Sequence, residues 1–189
     1  MAQLNAYARA HGLELETVPI RGNVDTRIGF VESGELDAVV LAAAGLNRIG
    51  RADEVTDFLP AETVLPAPGQ GALAVECSAG DAELIAALSQ LDDPHTRVAV
   101  TAERSLLAAL EAGCSAPVGA LAGLLGDGQI VKEMRLRGVV GTTDGSRVVQ
   151  MSTTGPVPQT HEQAMALGRE LAAEMLARGA AGLMGERAQ

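Results

Sequence analysis

Aromatic side chains and positive charge are both scarce in this sequence. Phe, Trp and Tyr make up 2% of the 189 residues, and 14 basic residues stand against 24 acidic ones, for a net charge of −10. Stacking on single-stranded nucleic acid needs aromatic side chains, and other nucleic-acid surfaces show a basic patch. We therefore expect no nucleic-acid partner. We also expect a core of closely packed aliphatic side chains, because few residues offer a large buried area.

Cysteine is equally rare, and long apolar runs are missing. The two cysteines, Cys77 and Cys114, are too few for a disulfide framework and are typical of a protein in the reducing cytosol. No stretch approaches the roughly 20 apolar residues of a membrane span, and the first residues lack the basic and apolar regions of a secretory signal. We expect a cytoplasmic protein without a membrane partner, and we assign no metal site.

The first half of the chain alternates predicted helices and strands. The apolar run 38–42 is typical of a strand that is covered on both faces in a parallel sheet. Strands are predicted over 13–20 and 38–42, and helices over 2–11, 28–33, 44–49 and 53–59. This order predicts an α/β domain whose ligands bind at the strand ends.

The pattern changes after residues 60–71, whose three prolines and two glycines indicate a crossing between domains. A strand over 73–77 would hold Cys77 as a core residue. Beyond it, helices are predicted over 81–91, from 94 to Gly113, and over 160–178, with a hairpin formed by 130–140 and 147–153. Thr160 and Gln163 are placed for a capping box, and Gly179 ends the last helix. The C-terminal half therefore reads as a small α+β unit.

Cys114 follows directly after the long helix that begins at Asp93-Pro94, and Pro117 prevents the helix from resuming. The partial negative charge of a helix C-terminus opposes thiolate formation, so Cys114 is a poor candidate for a protease-type nucleophile. A thiol that reacts once with a strong electrophile needs less activation. The alternative is a small buried hydrophobic residue.

The loop Arg21–Arg27 is the second informative feature. Gly22 permits close approach of a ligand, the amides at the start of the following helix favour anions, and two arginines offer bidentate donors to carboxylates. The alternative is a solvated loop whose arginines pair with acidic residues. Thirteen of the fourteen basic residues are arginine, so position matters more than residue type.

Five motifs in order resemble the hydroxymethylbilane synthase (porphobilinogen deaminase) family. They are the segments 21–27 (RGNVDTR), 37–46 (DAVVLAAAGL), 66–72 (PAPGQGA), 101–104 (TAER) and 113–119 (GCSAPVG). The resemblance covers essentially the whole chain. It implies three parts: residues 1–65 as a portion of a periplasmic-binding-protein-like α/β domain 2, residues 66–92 as the crossing segment and a return piece of domain 1, and residues 93–189 as the C-terminal α+β domain.

The resemblance also implies a transferase of tetrapyrrole (haem, porphyrin) biosynthesis that acts as a monomer. Such an enzyme deaminates porphobilinogen and condenses four units into linear hydroxymethylbilane on a dipyrromethane cofactor. Cys114 would carry that cofactor through a thioether. The other cofactor-binding residues implied are Arg21, Gly22, Arg27, Ala42, Gln70 and Gly71, and the substrate-binding residues are Arg21, Arg27 and Arg48.

The family's main catalytic carboxylate belongs to an N-terminal segment that has no counterpart in this sequence, so we expect a truncated form with impaired activity. Residues 72–91 would then lack the strands they normally join, which predicts exposed apolar edges. Two other hypotheses stay open. The chain could be a non-catalytic module that binds carboxylated small molecules through the arginine loop, or a structural or interaction protein.

Overall fold

The computed structural model of the chain describes residues 1–111, 116–126 and 131–184, which form two compact units, one of mixed helix and sheet and one of helices and loops. The first unit comprises Met1–Glu14 and the chain from Ala61 onward, and the second comprises Leu15–Pro60. The helices are α1 (Ala2–Ala10), α2 (Val24–Glu32), α3 (Ala43–Arg48), α4 (Ala82–Leu88), α5 (Pro94–Ala109) and α6 (His161–Ala177), with 3-10 turns at Ala52–Glu54, Ser89–Leu91 and Ala180–Leu183.

The first unit is built on a three-stranded antiparallel sheet. Its strands β1 (Val118–Gly126), β2 (Val131–Gly141) and β3 (Val148–Pro156) lie side by side in sequence order. Met134, Leu136 and Val140 of β2 are buried, whereas Glu133 and Arg135, on either side of Met134, are exposed. One face of the sheet therefore turns to the core, as the alternating pattern of a strand requires.

Helices α5 and α6 pack against each other and against the sheet. Each helix has a side-chain cap at its start, because Asp93 Oδ1 accepts from Thr96 N at 2.7 Å and Thr160 Oγ1 accepts from Gln163 N at 3.2 Å. The core that they enclose with the sheet is aliphatic, as expected. Its buried members are Ala102, Leu106, Leu110, Ala120, Met134, Leu136, Val140, Leu171, Ala172, Met175, Ala180 and Leu183.

Helix α1 docks on the same unit through polar contacts. The Gln3 amide donates to Leu65 O at 2.8 Å and accepts from Leu65 N at 2.7 Å. At the β2–β3 turn, Asn5 Nδ2 donates to Thr143 O and Arg9 Nε donates to Asp144 O, each at 2.9 Å. These bonds satisfy backbone groups of a loop and a turn that would otherwise depend on water.

Asp144 organises that turn, and its carboxylate gives a pH-dependent prediction. Hydrogen bonds from the Thr142 hydroxyl and from Ser146 hold the pKa of Asp144 down to about 2, from an ordinary value of 3.8. A depressed pKa means that the ionised carboxylate stabilises the folded state above pH 3.8 and that this stabilisation is lost as the pH falls through about 2. We expect Asp144→Asn to lower the melting temperature at neutral pH.

The difference between the wild type and Asp144→Asn should shrink as the pH is lowered through that window, when melting curves are recorded from neutral to acid pH. Asp37→Asn, the same change at an exposed aspartate, is the control and should follow the wild type. A difference that stays constant down to the lowest pH would contradict this role of the Asp144 carboxylate.

The second unit consists of short helices joined by extended chain. Arg51 holds it together by pairing with Asp25 and Glu32 of α2 and with Glu54 of the 3-10 turn. Hydrogen bonding to Glu54 is the largest cause that raises the pKa of the Arg51 guanidinium, followed by its bond to Asp25. Leu46 of α3 is buried in this unit.

The strands predicted over 13–20, 38–42 and 73–77 are wrong for the chain as described. None of the three segments forms a strand, and each exposes a large apolar side chain, with Leu13 57%, Val40 60% and Leu73 82% exposed. A β-strand needs a neighbour to bond its backbone, and no described segment pairs with these three. Exposed apolar side chains were themselves expected for residues 72–91. Cys77, predicted to be a core residue, is exposed for the same reason.

Two helix predictions also need correction. The helix predicted over 53–59 is only the 3-10 turn Ala52–Glu54, since the Asp57 carboxylate binds the next amide instead, accepting from Phe58 N at 2.8 Å. Helix α5 ends at Ala109, before Gly113, and the residue with left-handed backbone is Glu111, with φ of 52°. Gly113 itself lies outside the described residues.

The remaining helices and the hairpin are confirmed, and their observed ends differ from the predicted ends by at most four residues. The last helix has its predicted Thr160 cap, and Gly179 ends it with φ of 89°. The side chain of Gln163 differs slightly from the capping-box pattern. Its Oε1 accepts at 2.7 Å from the backbone amide of Gln159, which is one residue before the N-cap Thr160. Among the described residues, no helix has both the length and the apolarity needed to cross a membrane.

Candidate functional site: an arginine loop and a tethered glycine loop

The arginine loop has the conformation that its sequence requires. Gly22 has φ of 118°, and a Cβ atom there would come within 2.8 Å of Thr26 Cγ2. Asn23 caps α2, its Oδ1 accepting from Thr26 N at 2.9 Å and from Thr26 Oγ1 at 2.8 Å. Glycine is therefore needed both for the left-handed backbone and for the close approach of Thr26. The cap occupies one of the helix amides that were expected to face an anion.

Arg27 is the unusual side chain of this loop. Its Nε atom is buried and has no hydrogen-bond partner among the described residues. A buried donor without an acceptor costs about 1–3 kcal/mol, so Arg27 has a hydrogen-bonding capacity that the described residues do not satisfy. Arg21 and Arg48 are exposed, and within the described chain neither they nor Arg27 form an ion pair.

The contrast with Arg51 is informative, because sequence reasoning did not single out that residue. Arg51 is neutralised by three acidic side chains and has a structural role. Its spacing of three residues from Glu54 is a weak signal for such a pair. In the second unit, the arginines without an acidic partner among the described residues are Arg21 and Arg27 of the motif and Arg48, which are the three predicted to bind carboxylates. Ala42 is the N-cap of α3 and is exposed, and Arg48 is the last residue of the same helix.

The second group of predicted residues belongs to the loop 66–72 of the first unit. Gly69 has φ of 77°, and a turn is closed by Gln70 N donating to Ala67 O at 3.0 Å. Gln70 and Gly71 are exposed at its tip. The loop is fixed to the sheet where Ala120 N of β1 donates to Pro66 O at 2.9 Å.

Glu103 of α5 is a buried carboxylate at the base of this loop. Glu103 is only 4% exposed, and its carboxylate accepts from Gly69 N at 2.7 Å and from Ala122 N at 2.8 Å. Burial raises the pKa of Glu103, and the two backbone hydrogen bonds only partly offset that effect. Glu103 lies in the motif 101–104, and nothing in the sequence indicated a role for its side chain.

The predicted site residues thus fall in two places. Arg21, Gly22, Arg27, Ala42 and Arg48 lie in the second unit, and Gln70 and Gly71 lie in the first. Cys114, the predicted attachment residue, lies outside the described residues. The described residues contain no group of three or more His, Cys, Asp or Glu side chains that could hold a metal ion.

Comparison with known proteins gives two family matches. Residues 2–86 match the model described as the porphobilinogen deaminase dipyrromethane cofactor binding domain, and residues 97–177 match the porphobilinogen deaminase C-terminal domain. The chain is 85% identical over 189 residues to porphobilinogen deaminase 1 of Streptomyces coelicolor, and 54% identical over 183 residues to porphobilinogen deaminase of Mycobacterium tuberculosis.

These alignments cover 100% and 95% of this chain, but 59% and 58% of the two relatives. The chain therefore spans less than two thirds of the length of the curated relatives it matches. With two domain models of one protein matching in order, the chain belongs to the porphobilinogen deaminase family.

Proposed function

We propose that this chain serves in hydroxymethylbilane synthesis, the condensation of four porphobilinogen units into a linear tetrapyrrole, with Cys114 carrying the dipyrromethane primer. The family matches support this proposal, since one of them is a dipyrromethane cofactor binding domain. When bound, the cofactor supplies the pyrrole end to which new units are joined. The chain's own residues would hold its carboxylates and keep its position fixed between steps.

The observation that carries the proposal is the buried Nε of Arg27, which has no hydrogen-bond partner among the described residues. Pyrroles with acetate and propionate side chains bring two carboxylates for each ring, and bidentate arginine is the natural partner of a carboxylate. We assign Arg21, Gly22 and Arg27, with Ala42 and Arg48, to this role in the second unit. Gln70 and Gly71 at the tip of their loop are assigned to the cofactor in the first.

Removing the Arg27 guanidinium tests this assignment. We expect Arg27→Ala to weaken porphobilinogen binding by roughly 1.5–3 kcal/mol, the effect of losing a hydrogen bond to a charged group, as measured by isothermal titration calorimetry. Arg147→Ala removes the same charge from an exposed position in the first unit and should bind like the wild type. Equal dissociation constants for Arg27→Ala and the wild type would assign Arg27 to a solvated loop.

The domain organisation is part of the proposal. We assign residues 1–65 to a periplasmic-binding-like domain, residues 66–92 to a crossing and return segment, and residues 93–189 to the C-terminal domain. The interval between the two family matches, from 86 to 97, supports a boundary near residue 92. We further propose that the protein is a cytoplasmic monomer. The small number of cysteines, two in 189 residues, supports the reducing compartment.

A second candidate function is a reversible module for carboxylated small molecules. The Arg27 guanidinium favours it equally, since arginine N–H groups donate to any carboxylate of suitable shape. The two candidates differ in one respect, which is the covalent bond. A module would bind pyrroles without a lasting change in its mass.

The intact mass of the chain, purified from cells that make porphobilinogen, decides between them. We expect a mass increase equal to two linked pyrrole units, retained under denaturing conditions and mapped to the peptide that holds Cys114. A chain of unmodified mass that still binds porphobilinogen would favour the reversible module. An unmodified chain that binds no pyrrole would overturn both.

A further inference from the structure

Glu103 holds a place in the fold that the proposed chemistry does not explain. Its carboxylate lies between two backbone amides, Gly69 N at 2.7 Å and Ala122 N at 2.8 Å, each bonded to a different oxygen. Two N–H donors cannot bond to each other, and an ionised carboxylate is the side chain that offers acceptors alone. The carboxylate therefore joins two segments that could not pair directly.

These segments are the loop 66–72 and the outer edge of β1. Pro66 O receives the amide of Ala120, and two residues further along β1 the Glu103 carboxylate receives the amide of Ala122. The chain from Pro66 to Gly69 thus runs along the free edge of the sheet, with Glu103 completing the pairing. An open strand edge has unsatisfied amides that such a cover removes.

The tether acts one residue before the exposed tip of the loop. Gly69 is bonded to Glu103, and its own carbonyl accepts from Ala72 N at 3.3 Å, which leaves Gln70 and Gly71 between two fixed points. Helix α5 also supports the loop by packing, because a Cβ on Gly69 would lie 3.8 Å from Val100 Cγ1 and 3.9 Å from Arg104 Cγ. The direction in which Gln70 and Gly71 are presented therefore depends on Glu103.

We propose that Glu103 is a positioning residue, which sets the presentation of Gln70 and Gly71 to the bound pyrroles by tethering Gly69 to helix α5 and strand β1. The inference rests on the proposed function in one respect, namely that the loop tip faces the cofactor. The role of Glu103 in holding the loop stands on the geometry.

Glu103→Gln is the variant that isolates this role. The glutamine carbonyl can accept one amide, but its NH2 group then faces the other, so one of the two tethers is lost. The substitution also removes a buried charge, whose unfavourable burial is seen in the raised pKa of Glu103. Loss of the tether lowers the free energy of unfolding and removal of the buried charge raises it, whereas both changes leave the loop less firmly held.

The experiment compares wild type, Glu103→Gln and Glu170→Gln, the last being the same change at an exposed glutamate of α6. Amide hydrogen exchange by NMR should be at least tenfold faster at Gly69 or Ala122 in Glu103→Gln, with Leu136 in the core unchanged. The amide proton shift of the released residue should also move, because it no longer donates to a charged oxygen. The initial rate at which the covalent pyrrole adduct accumulates should fall at least fivefold, and Glu170→Gln should match the wild type throughout.

Each outcome decides the proposal. Unchanged exchange at Gly69 and Ala122 overturns it, and so does faster exchange with an unchanged rate of adduct formation. If the wild type forms no adduct, the proposed function fails by itself, and exchange at Gly69 and Ala122 alone then supports or overturns the positioning role. Should Glu103→Gln not fold, Glu103→Asp replaces it, since the shorter carboxylate keeps its charge but cannot span both amides.

Discussion

We expect Gly168→Ala to destabilise the protein more than a methyl group added at any other position of α6. Gly168 lies where α6 crosses α5, and a Cβ atom there would come within 2.4 Å of Ala102 O, 2.7 Å of Leu106 N and 2.8 Å of Ser105 Cβ. Two of these three atoms belong to the backbone of α5, so no side-chain rotation can relieve the overlap. The helices would have to separate.

That separation would disturb the centre of the core. Ser105 Oγ donates to Met165 O at 2.7 Å across the same crossing, and the neighbouring Leu106 and Leu171 are fully buried. Overpacking a core usually costs about 1–3 kcal/mol, and a clash with backbone belongs at or above the upper end of that range. In a chain of this length, 3 kcal/mol corresponds to a fall of roughly 6–12 °C in melting temperature.

Gly29→Ala is the matched control, since Gly29 lies inside α2 and a Cβ there would meet nothing within 4 Å. Alanine favours a helix over glycine by roughly 0.5–1 kcal/mol, so this variant should be unchanged or slightly more stable. Differential scanning calorimetry of both variants measures the contrast. If Gly168→Ala melts with the wild type, the two helices do not approach as closely as described.

The features that could be predicted from the sequence are those fixed by neighbouring residues. The cap of Thr160, the end of α6 at Gly179 and the β2–β3 hairpin all depend on contacts within a few residues, and all three are observed. Strand β1 escaped prediction, because its Gly, Ala and Leu residues show neither β-branching nor polar alternation. It becomes a strand by pairing with β2.

Long-range contacts explain the remaining differences. Glu103 binds amides 34 and 19 residues away, and nothing in its local sequence indicates those partners. The three segments predicted to be strands differ from the prediction for the opposite reason. Their composition suits a buried parallel sheet, but a strand also needs a neighbour, and the described chain supplies none for them.

Within the arginine loop, the residues that the motif singled out remain predicted binding residues, and the structure adds a physical distinction between them and the other arginines. Thirteen arginines could not be ranked by type. Burial and pairing rank them, because Arg51 is neutralised by acidic neighbours whereas Arg27 keeps a buried donor without a partner in the described chain. Electrostatic pairing is a property of the folded arrangement, and only a short spacing such as that of Arg51 and Glu54 gives it even a weak signal in the sequence.

Cys114→Ser should abolish the covalent cofactor altogether. A thioether needs a sulfur nucleophile, and the serine hydroxyl is far weaker at neutral pH, because little of it is ionised and nothing in the motif activates it. Intact mass spectrometry of this variant, purified from cells that make porphobilinogen, should therefore give the unmodified mass. The variant should remain folded, with a melting temperature close to that of the unmodified wild type.

The second cysteine supplies the matched control. Cys77 is exposed and carries the chain's other thiol, so Cys77→Ser makes the same atomic change while leaving the predicted attachment residue intact. We expect this variant to carry the adduct in the same proportion as the wild type. An adduct that survives Cys114→Ser and disappears in Cys77→Ser would move the attachment to the exposed thiol, and the motif that first suggested Cys114 would then have no chemical role. Retention in both single variants would mean that Cys114 is not required for attachment, and its assignment as the attachment residue would be wrong.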